Sequence, residues 1–202
     1  MDDCFLDKDG DVEISAGGNL PHWHQEGKVQ FVTFRLADSL PQSVVDETKK
    51  VIATFRELNP EPWSAETMQR YRNLVRKGTE KFLDRGYGSC ILARKEIRDI
   101  VSSALHYYDG ARYDLIAYVV MPNHVHVIIC PYEGQKASEI FHDIKGFSAR
   151  EINRKLNRKG QLWFRESFDR LIRSEEDLKY KIAYIKNNPK HLTSDQFDLY
   201  IG

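Results

Sequence analysis

The sequence predicts an α+β domain, in which an antiparallel sheet carries helices mainly on one of its faces. Two β-rich segments, 112–120 and 124–130, are joined only by Met121-Pro-Asn, and so short a connection is typical of an antiparallel hairpin. A third β-rich segment, 28–36, precedes them, and five other segments have the apolar period of helices. The 202 residues suffice for one domain with a buried core.

The remaining elements follow from turn residues and apolar spacing. Residues 1–22 are acidic and rich in glycine, which predicts a flexible lead-in before a single domain of residues 23–202. Leu40-Pro ends the first strand, and a helical insertion is expected at about 38–90. The helices are predicted at 43–58, 64–85, 94–108, 138–156 and 174–188, with a strand or a loop at 163–172. Ser174 followed by Asp177 is a capping box for the last helix.

Composition limits the function classes. No apolar run approaches the roughly 18 residues that a membrane span needs, and the acidic first residues do not resemble a signal peptide. Three scattered cysteines, Cys4, Cys90 and Cys130, indicate a reducing compartment and a cytoplasmic protein. The neutral total charge hides a basic block at 145–173, with nine lysines and arginines against three acids. Such a block attracts phosphate, or it is an ordinary solvated helix face.

The pair His124 and His126 opens the strand that follows the Pro-Asn turn. Side chains two residues apart on a strand leave the same face of the sheet, so Val125 and Val127 are expected on the other face. Two imidazoles on one face can bind one divalent metal ion. The same spacing also occurs in strands without any metal.

The last predicted helix carries a second pair, Tyr184 and Asn188, four residues apart and therefore on one helix face. An amide oxygen is a good ligand for Mg²⁺ or Mn²⁺, and a phenol beside such a metal can attack phosphorus. Pro189 ends the helix, so the same residues are also compatible with a simple stop signal and a core aromatic.

The order and spacing of three motifs resemble the REP-associated tyrosine transposases, within the HUH single-tyrosine transposase superfamily. The motifs are M-P-N-H-V-H-V-I-I from Met121, W-F-R-E-S-F-D-R-L-I-R from Trp163, and Y-I-K-N-N-P from Tyr184. The resemblance covers about residues 28–36 and 92–190 and implies a ferredoxin-like fold. It implies that His124, His126 and Asn188 bind a divalent metal, Mg²⁺ or Mn²⁺, and that Tyr184 is the nucleophile.

The resemblance further implies a single-strand DNA endonuclease and strand transferase that forms a 5′-phosphotyrosine. Its expected partner is single-stranded or hairpin DNA from repetitive palindromic elements, bound by a monomer or a homodimer and not at a membrane. The predicted DNA-binding residues come from the basic block: Lys145, Arg150, Arg154, Arg165 and Arg170. Two alternatives stay open, a domesticated DNA-binding protein with little nuclease activity and a metal hydrolase unrelated to DNA.

Overall fold

Seven strands and five α-helices make up the computed structural model, which describes residues 4–7, 10, 12–15, 22–60, 62–83 and 85–202. In chain order the strands are β1 (Glu13–Ser15), β2 (His22–His24), β3 (Gln30–Arg35), β4 (Tyr113–Val120), β5 (His124–Pro131), β6 (Phe168–Leu171) and β7 (Asp198–Ile201). The helices are α1 (Gln42–Leu58), α2 (Ala65–Leu83), α3 (Lys95–Tyr107), α4 (Ala137–Lys155) and α5 (Glu175–Asn187). A 3-10 turn at Ile91–Ala93 precedes α3.

The central sheet is antiparallel throughout, with the strand order β6-β3-β5-β4-β7. Helix α3 lies in the connection from β3 to β4, and helix α4 connects β5 to β6. Strands β3 to β6, taken with these two helices, have the ferredoxin-like topology that the sequence resemblance implies. The predicted α+β class with an antiparallel sheet is therefore confirmed.

The two faces of the sheet are covered by different helices. On one face, the apolar side chains of β5 pack against α3 and α4, with Val127 and Ile144 among the buried residues. On the other face, Ile128 packs against Ile185 of α5. Helices α3 and α4 share one face, as predicted, and α5 alone covers the other. Both faces of the central strands are apolar, and each face needs a cover to exclude water.

Helices α1 and α2 form the predicted insertion between β3 and α3. They pack on each other through the aromatic rings of Phe55, Trp63 and Tyr71, whose centroids lie 4.9–5.5 Å apart. A second small cluster around Leu40 and Leu83 joins the beginning of α1 to the end of α2. The helical hairpin thus has an apolar core of its own.

Short strands at both chain ends differ from the sequence prediction. β1 pairs with β2 and Glu13 forms an ion pair with Lys136, so this part of the predicted flexible lead-in packs on the domain. The rest of that prediction falls on residues 1–3, 8, 9, 11 and 16–21, which lie outside the described residues. No strand is predicted at 198–201, where β7 pairs with the edge of β4. Nowhere in the described chain is a helix both long and apolar enough to cross a membrane.

Candidate metal and tyrosine site

Strand β5 presents His124 and His126 on the face that α5 covers. Both side chains are buried, with 0% and 2% of their surface exposed, and their Nε2 atoms lie 3.1 Å apart. The alternation of the strand sends Val125 and Val127 into the apolar cluster on the opposite face. The predicted same-face arrangement of the two imidazoles is therefore observed.

The outer nitrogen of each imidazole is held by a neighbouring polar side chain. His124 Nδ1 lies 2.7 Å from Asn123 Oδ1, and His126 Nδ1 lies 2.7 Å from Thr33 Oγ1. Thr33 is the residue of β3 that stands opposite His126 in the sheet register. These bonds orient both rings with their Nε2 atoms toward each other.

Burial keeps both imidazoles neutral at physiological pH. Desolvation lowers the pKa of His124 to about 3. The pKa of His126 is also well below its ordinary value, first because of burial and then because of the neighbouring His124 and Lys181. A neutral imidazole has a nitrogen lone pair, and metal coordination requires that lone pair.

Helix α5 brings the predicted tyrosine to the histidine pair. The Tyr184 hydroxyl lies 3.5 Å from His126 Nε2, and the two ring centroids are 5.2 Å apart. Ser174 caps the helix by accepting a hydrogen bond from the backbone N–H of Asp177, as the sequence predicts. Two segments separated by about 60 residues thus meet in one cluster.

Asn188, at the end of the same helix, has a buried side-chain oxygen without a hydrogen-bond partner. Leaving a buried acceptor unsatisfied costs about 1–3 kcal/mol, so such atoms are rare. A divalent cation would satisfy this oxygen, and one amide oxygen with two imidazoles is a donor set that fits Mn²⁺ or Mg²⁺. Among the described residues, no group of three His, Cys, Asp or Glu side chains could hold a metal. A metal at this place would therefore need the Asn188 amide as a ligand beside the two imidazoles.

Two further residues of the cluster are absent from the sequence prediction. Phe31 of β3 stacks on the His126 ring at 5.5 Å. The ammonium of Lys181, only 7% exposed, lies 4.6 Å from the Phe31 ring centroid and 5.4 Å from that of Tyr184. The sequence holds a signal for Lys181, which precedes Tyr184 by three residues on a helix. It holds none for Phe31, because only the register of β3 against β5 brings that ring to the histidines.

Arg35, also on β3, was not predicted to belong to the site. It stands opposite His124 in the register, and its guanidinium lies 3.7 Å from the Phe164 ring centroid. Burial lowers the pKa of Arg35 to about 10, while Glu166 acts in the opposite direction. The histidine face therefore has a cationic border at the end of β3.

The five predicted DNA-binding residues occupy different surroundings. Lys145 and Arg165 line a cavity of about 600 Å³ beside α4, and burial lowers the pKa of Lys145 to about 8. Arg150 lines a second cavity, of about 480 Å³, with Phe147. Arg154 pairs with Glu151, and Arg170 pairs with Asp177 at 3.0 Å. The structure brings Lys145 and Arg165 together, and the DNA-binding role of all five remains a prediction.

Comparison with known proteins supports the family assigned from the sequence. Residues 91–188 match the family model described as "Transposase IS200 like", a span that contains both His124 and Asn188. A solved structure of a REP-associated tyrosine transposase bound to a REP hairpin is 17% identical, with a TM-score of 0.46, and the match covers 84% of this chain and 72% of that one. No curated protein matches the chain. Residues 91–188, just under half of the chain, are thus similar to the IS200-like transposase family.

Proposed function

We propose that the protein is a metal-dependent single-strand DNA endonuclease and strand transferase, which cleaves hairpin-forming DNA through a covalent 5′-phosphotyrosine at Tyr184. The single observation that carries the proposal is the 3.5 Å approach of the Tyr184 hydroxyl to His126 Nε2. The Asn188 side-chain oxygen, at the end of the same helix, is buried without a hydrogen-bond partner. The similarity of residues 91–188 to IS200-like transposases supports DNA cleavage in general. The hairpin substrate rests on the sequence resemblance.

The ligand set explains why a phosphodiester would bind. His124, His126 and Asn188 would hold Mg²⁺ or Mn²⁺, and all three ligands are uncharged. A bound ion would polarise the scissile phosphate as a Lewis acid. Because none of the three ligands would neutralise its charge, the ion would keep its full double positive charge for an anionic substrate.

In the proposed reaction, Tyr184 exchanges one phosphoester for another. The Tyr184 oxygen attacks phosphorus and loses its proton, the bond from phosphorus to the 3′-oxygen breaks, and that oxygen takes up a proton to become a 3′-hydroxyl. Rejoining is the reverse reaction with a new 3′-hydroxyl, so no nucleotide cofactor is needed. The Lys181 ammonium, next to the Tyr184 ring, would stabilise the negative charge that develops on the phenol.

The arrangement within one chain supports cleavage in cis, since Tyr184 lies against a histidine of its own polypeptide. None of the three cysteines, all of them among the described residues, forms a disulfide bond. The proposed location is the cytoplasm, where chromosomal DNA is accessible and thiols stay reduced.

A covalent adduct tests the proposal. The protein is incubated with Mg²⁺ or Mn²⁺ and single-stranded hairpin DNA labelled at its 3′ end, and the products are separated on a denaturing gel. We expect a labelled protein–DNA adduct that Tyr184→Phe abolishes. Tyr180→Phe is the matched control, because Tyr180 lies one turn earlier on α5 and is 66% exposed; this variant should form the adduct normally.

The other outcomes identify the alternatives. Tight hairpin binding with no adduct in either metal would make the protein a DNA-binding protein without nuclease activity. Absence of DNA affinity at low salt would exclude both of these functions and favour a metal hydrolase with another substrate. Salt dependence of binding should accompany any true phosphate contact.

A further inference from the structure

We infer that the loop at residues 86–90, which follows α2 at the end of the helical insertion, positions His124, the first proposed metal ligand, through Asn123. Thr33 in turn allows His126, the second proposed ligand, to change tautomer. Asn123 and Thr33 are thus positioning residues, and the helical insertion has a role in the metal site. The inference rests on the proposed function, because it assigns what prepares the same two histidines to bind a metal.

The tautomer of His124 follows from a chain of hydrogen bonds. Asn123 Nδ2 donates to the backbone carbonyl of Tyr87 at 3.0 Å, and a carbonyl can only accept, so this bond fixes which way the amide points. Asn123 Oδ1 therefore faces His124 Nδ1, which must carry the proton and donate across 2.7 Å. The lone pair of His124 is consequently on Nε2, the atom that faces the site.

His126 is held in a different way. With a lone pair on His124 Nε2, the 3.1 Å contact between the two Nε2 atoms is favourable without metal only if His126 Nε2 carries a proton. His126 Nδ1 then accepts from the hydroxyl of Thr33. Metal binding needs the opposite tautomer, with the proton on Nδ1. A hydroxyl can donate or accept, so Thr33 can stabilise both tautomers without any change of position.

The loop that supplies the Tyr87 carbonyl is fixed to the domain at several points. Ser89 N–H donates to the Asp38 carboxylate at 2.9 Å, and Leu92 N–H donates to the Pro122 carbonyl at 3.1 Å. At the other end of the insertion, Leu36 N–H donates to the Asn123 carbonyl at 2.9 Å. Both ends of the helical hairpin therefore hold the turn that immediately precedes His124.

Gly88 allows this close approach. Its φ is +96°, a conformation that side chains disfavour, and a Cβ at this position would lie 2.5 Å from the Asp38 carbonyl oxygen. A substitution at Gly88 would displace the loop without altering any side chain of the site. Gly110 is a suitable control, because its φ is +73° and a Cβ there would meet nothing within 4 Å.

The first test measures Mn²⁺ affinity by calorimetry, without DNA. Asn123→Ala and Thr33→Val should each weaken Mn²⁺ binding about 10- to 100-fold, as removal of outer partners of metal-binding histidines generally does. Thr33→Ser keeps the hydroxyl and should bind Mn²⁺ like the wild type. In the metal-free protein, imidazole ¹⁵N chemical shifts should show the His124 proton on Nδ1 in the wild type and a mixture of tautomers in Asn123→Ala.

The second test addresses the loop. Gly88→Ala should lower Mn²⁺ affinity by at least about fivefold, an ordinary coupling between separate sites, while Gly110→Ala should leave it unchanged. Both variants introduce an alanine at a positive φ, so a general effect of backbone strain would lower the affinity in both. Equal affinities of Gly88→Ala and Gly110→Ala would overturn the role assigned to the loop.

Failure of this inference is distinguishable from failure of the proposed function. If the wild type binds Mn²⁺ and forms the adduct while Asn123→Ala and Thr33→Val bind Mn²⁺ equally well, the positioning role is wrong and the proposed function stands. If the wild type binds no Mn²⁺, the metal-dependent function fails. The ¹⁵N shifts still decide the hydrogen-bond assignment in that case, because they need no metal, and a His124 proton on Nε2 in the wild type would refute it.

Discussion

The two faces of the central sheet are equally buried and chemically different. On the face covered by α3 and α4, Val125, Val127 and Ile129 of β5 join a continuous apolar cluster. On the face covered by α5, the alternate residues His124 and His126 of the same strand are buried to the same degree. Burying polar groups costs free energy unless they are hydrogen bonded. The apolar face is explained by stability alone, whereas the histidines of the other face can be buried only because hydrogen bonds hold them.

On the face covered by α5, called the polar face below, most buried polar atoms of the site have a partner. Asn123 and Thr33 satisfy the outer nitrogens of the histidines, and the Lys181 ammonium lies over the Phe31 ring. Two buried atoms of this face have no hydrogen-bond partner among the described residues: Asn188 Oδ1, and Nε of Arg170, the β6 residue that stands opposite Phe31. A divalent cation would satisfy the Asn188 oxygen and could not satisfy the Arg170 donor, so of these two atoms only the first fits the proposed metal site.

The largest expected effect comes from two substitutions on β5, one that should lower the cleavage rate and one that should lower the free energy of unfolding. His126→Gln should reduce cleavage by on the order of 10³-fold or more, since the proposed metal would lose a ligand, and should lower the free energy of unfolding by only about 1 kcal/mol, as a typical point mutation does. Ile129→Ala should lower the free energy of unfolding by about 2–5 kcal/mol and leave the cleavage rate of the folded protein intact. Urea unfolding and the adduct assay measure the two quantities. If both variants lost stability alone, the histidine face would be an ordinary core.

A smaller effect is expected for Lys181, the buried cation of the polar face. Lys181→Met should slow cleavage about 100-fold, because charge on the phenol and phosphate would lose a nearby stabilising cation. Lys179→Met is the matched control: Lys179 lies on the same helix, its side chain is 70% exposed, and it pairs with Glu175. Single-turnover kinetics at saturating metal give both rates. Equal rates for the two variants would remove Lys181 from the reaction.

The smallest effect concerns the stability of the metal-free protein in mild acid. The pKa of His124 is lowered to about 3 in the folded state, against about 6.5 in the unfolded chain. The unfolded chain therefore binds more protons between these values, and stability falls as the pH falls. From pH 7 to pH 5, His124 should contribute a loss of about 2 kcal/mol, with a further loss in the same direction from His126.

Urea unfolding in the presence of a chelator tests this dependence. The double variant His124→Gln with His126→Gln should lack the histidine contribution and lose less stability between pH 7 and pH 5 than the wild type. The carboxylates are common to both proteins, so the difference isolates the imidazoles. The same loss in both proteins would mean that the buried histidines are not responsible for it.

Much of the site was readable from local patterns. The H-x-H spacing on a β-rich run predicts two imidazoles on one face, and the four-residue spacing of Tyr184 and Asn188 predicts one helix face. The capping box at Ser174 places the start of α5 correctly. These features follow from the periods of strand and helix, which depend only on residues near in sequence.

Other features depend on partners that are distant in sequence. Strand β7 forms because the edge of β4 is available for pairing. Its four residues are of mixed polarity and have no pattern that would predict a strand. The placement of α5 opposite α3 and α4 likewise depends on both faces of the sheet being apolar. Thr33 and Lys181 belong to the site only because of the strand register and the docking of α5.

By itself, the sequence determined the five helices and the three central strands, the family resemblance and the identities of the histidines, the tyrosine and the asparagine, since each is encoded within a few neighbouring residues. The tertiary structure alone decided that His126 and Tyr184 meet, that Asn188 Oδ1 is left without a partner, and that a carbonyl at the end of the helical insertion orients Asn123. Those facts arise from packing between segments far apart in the chain, and the periodicity of a helix or a strand does not predict which distant segments come into contact.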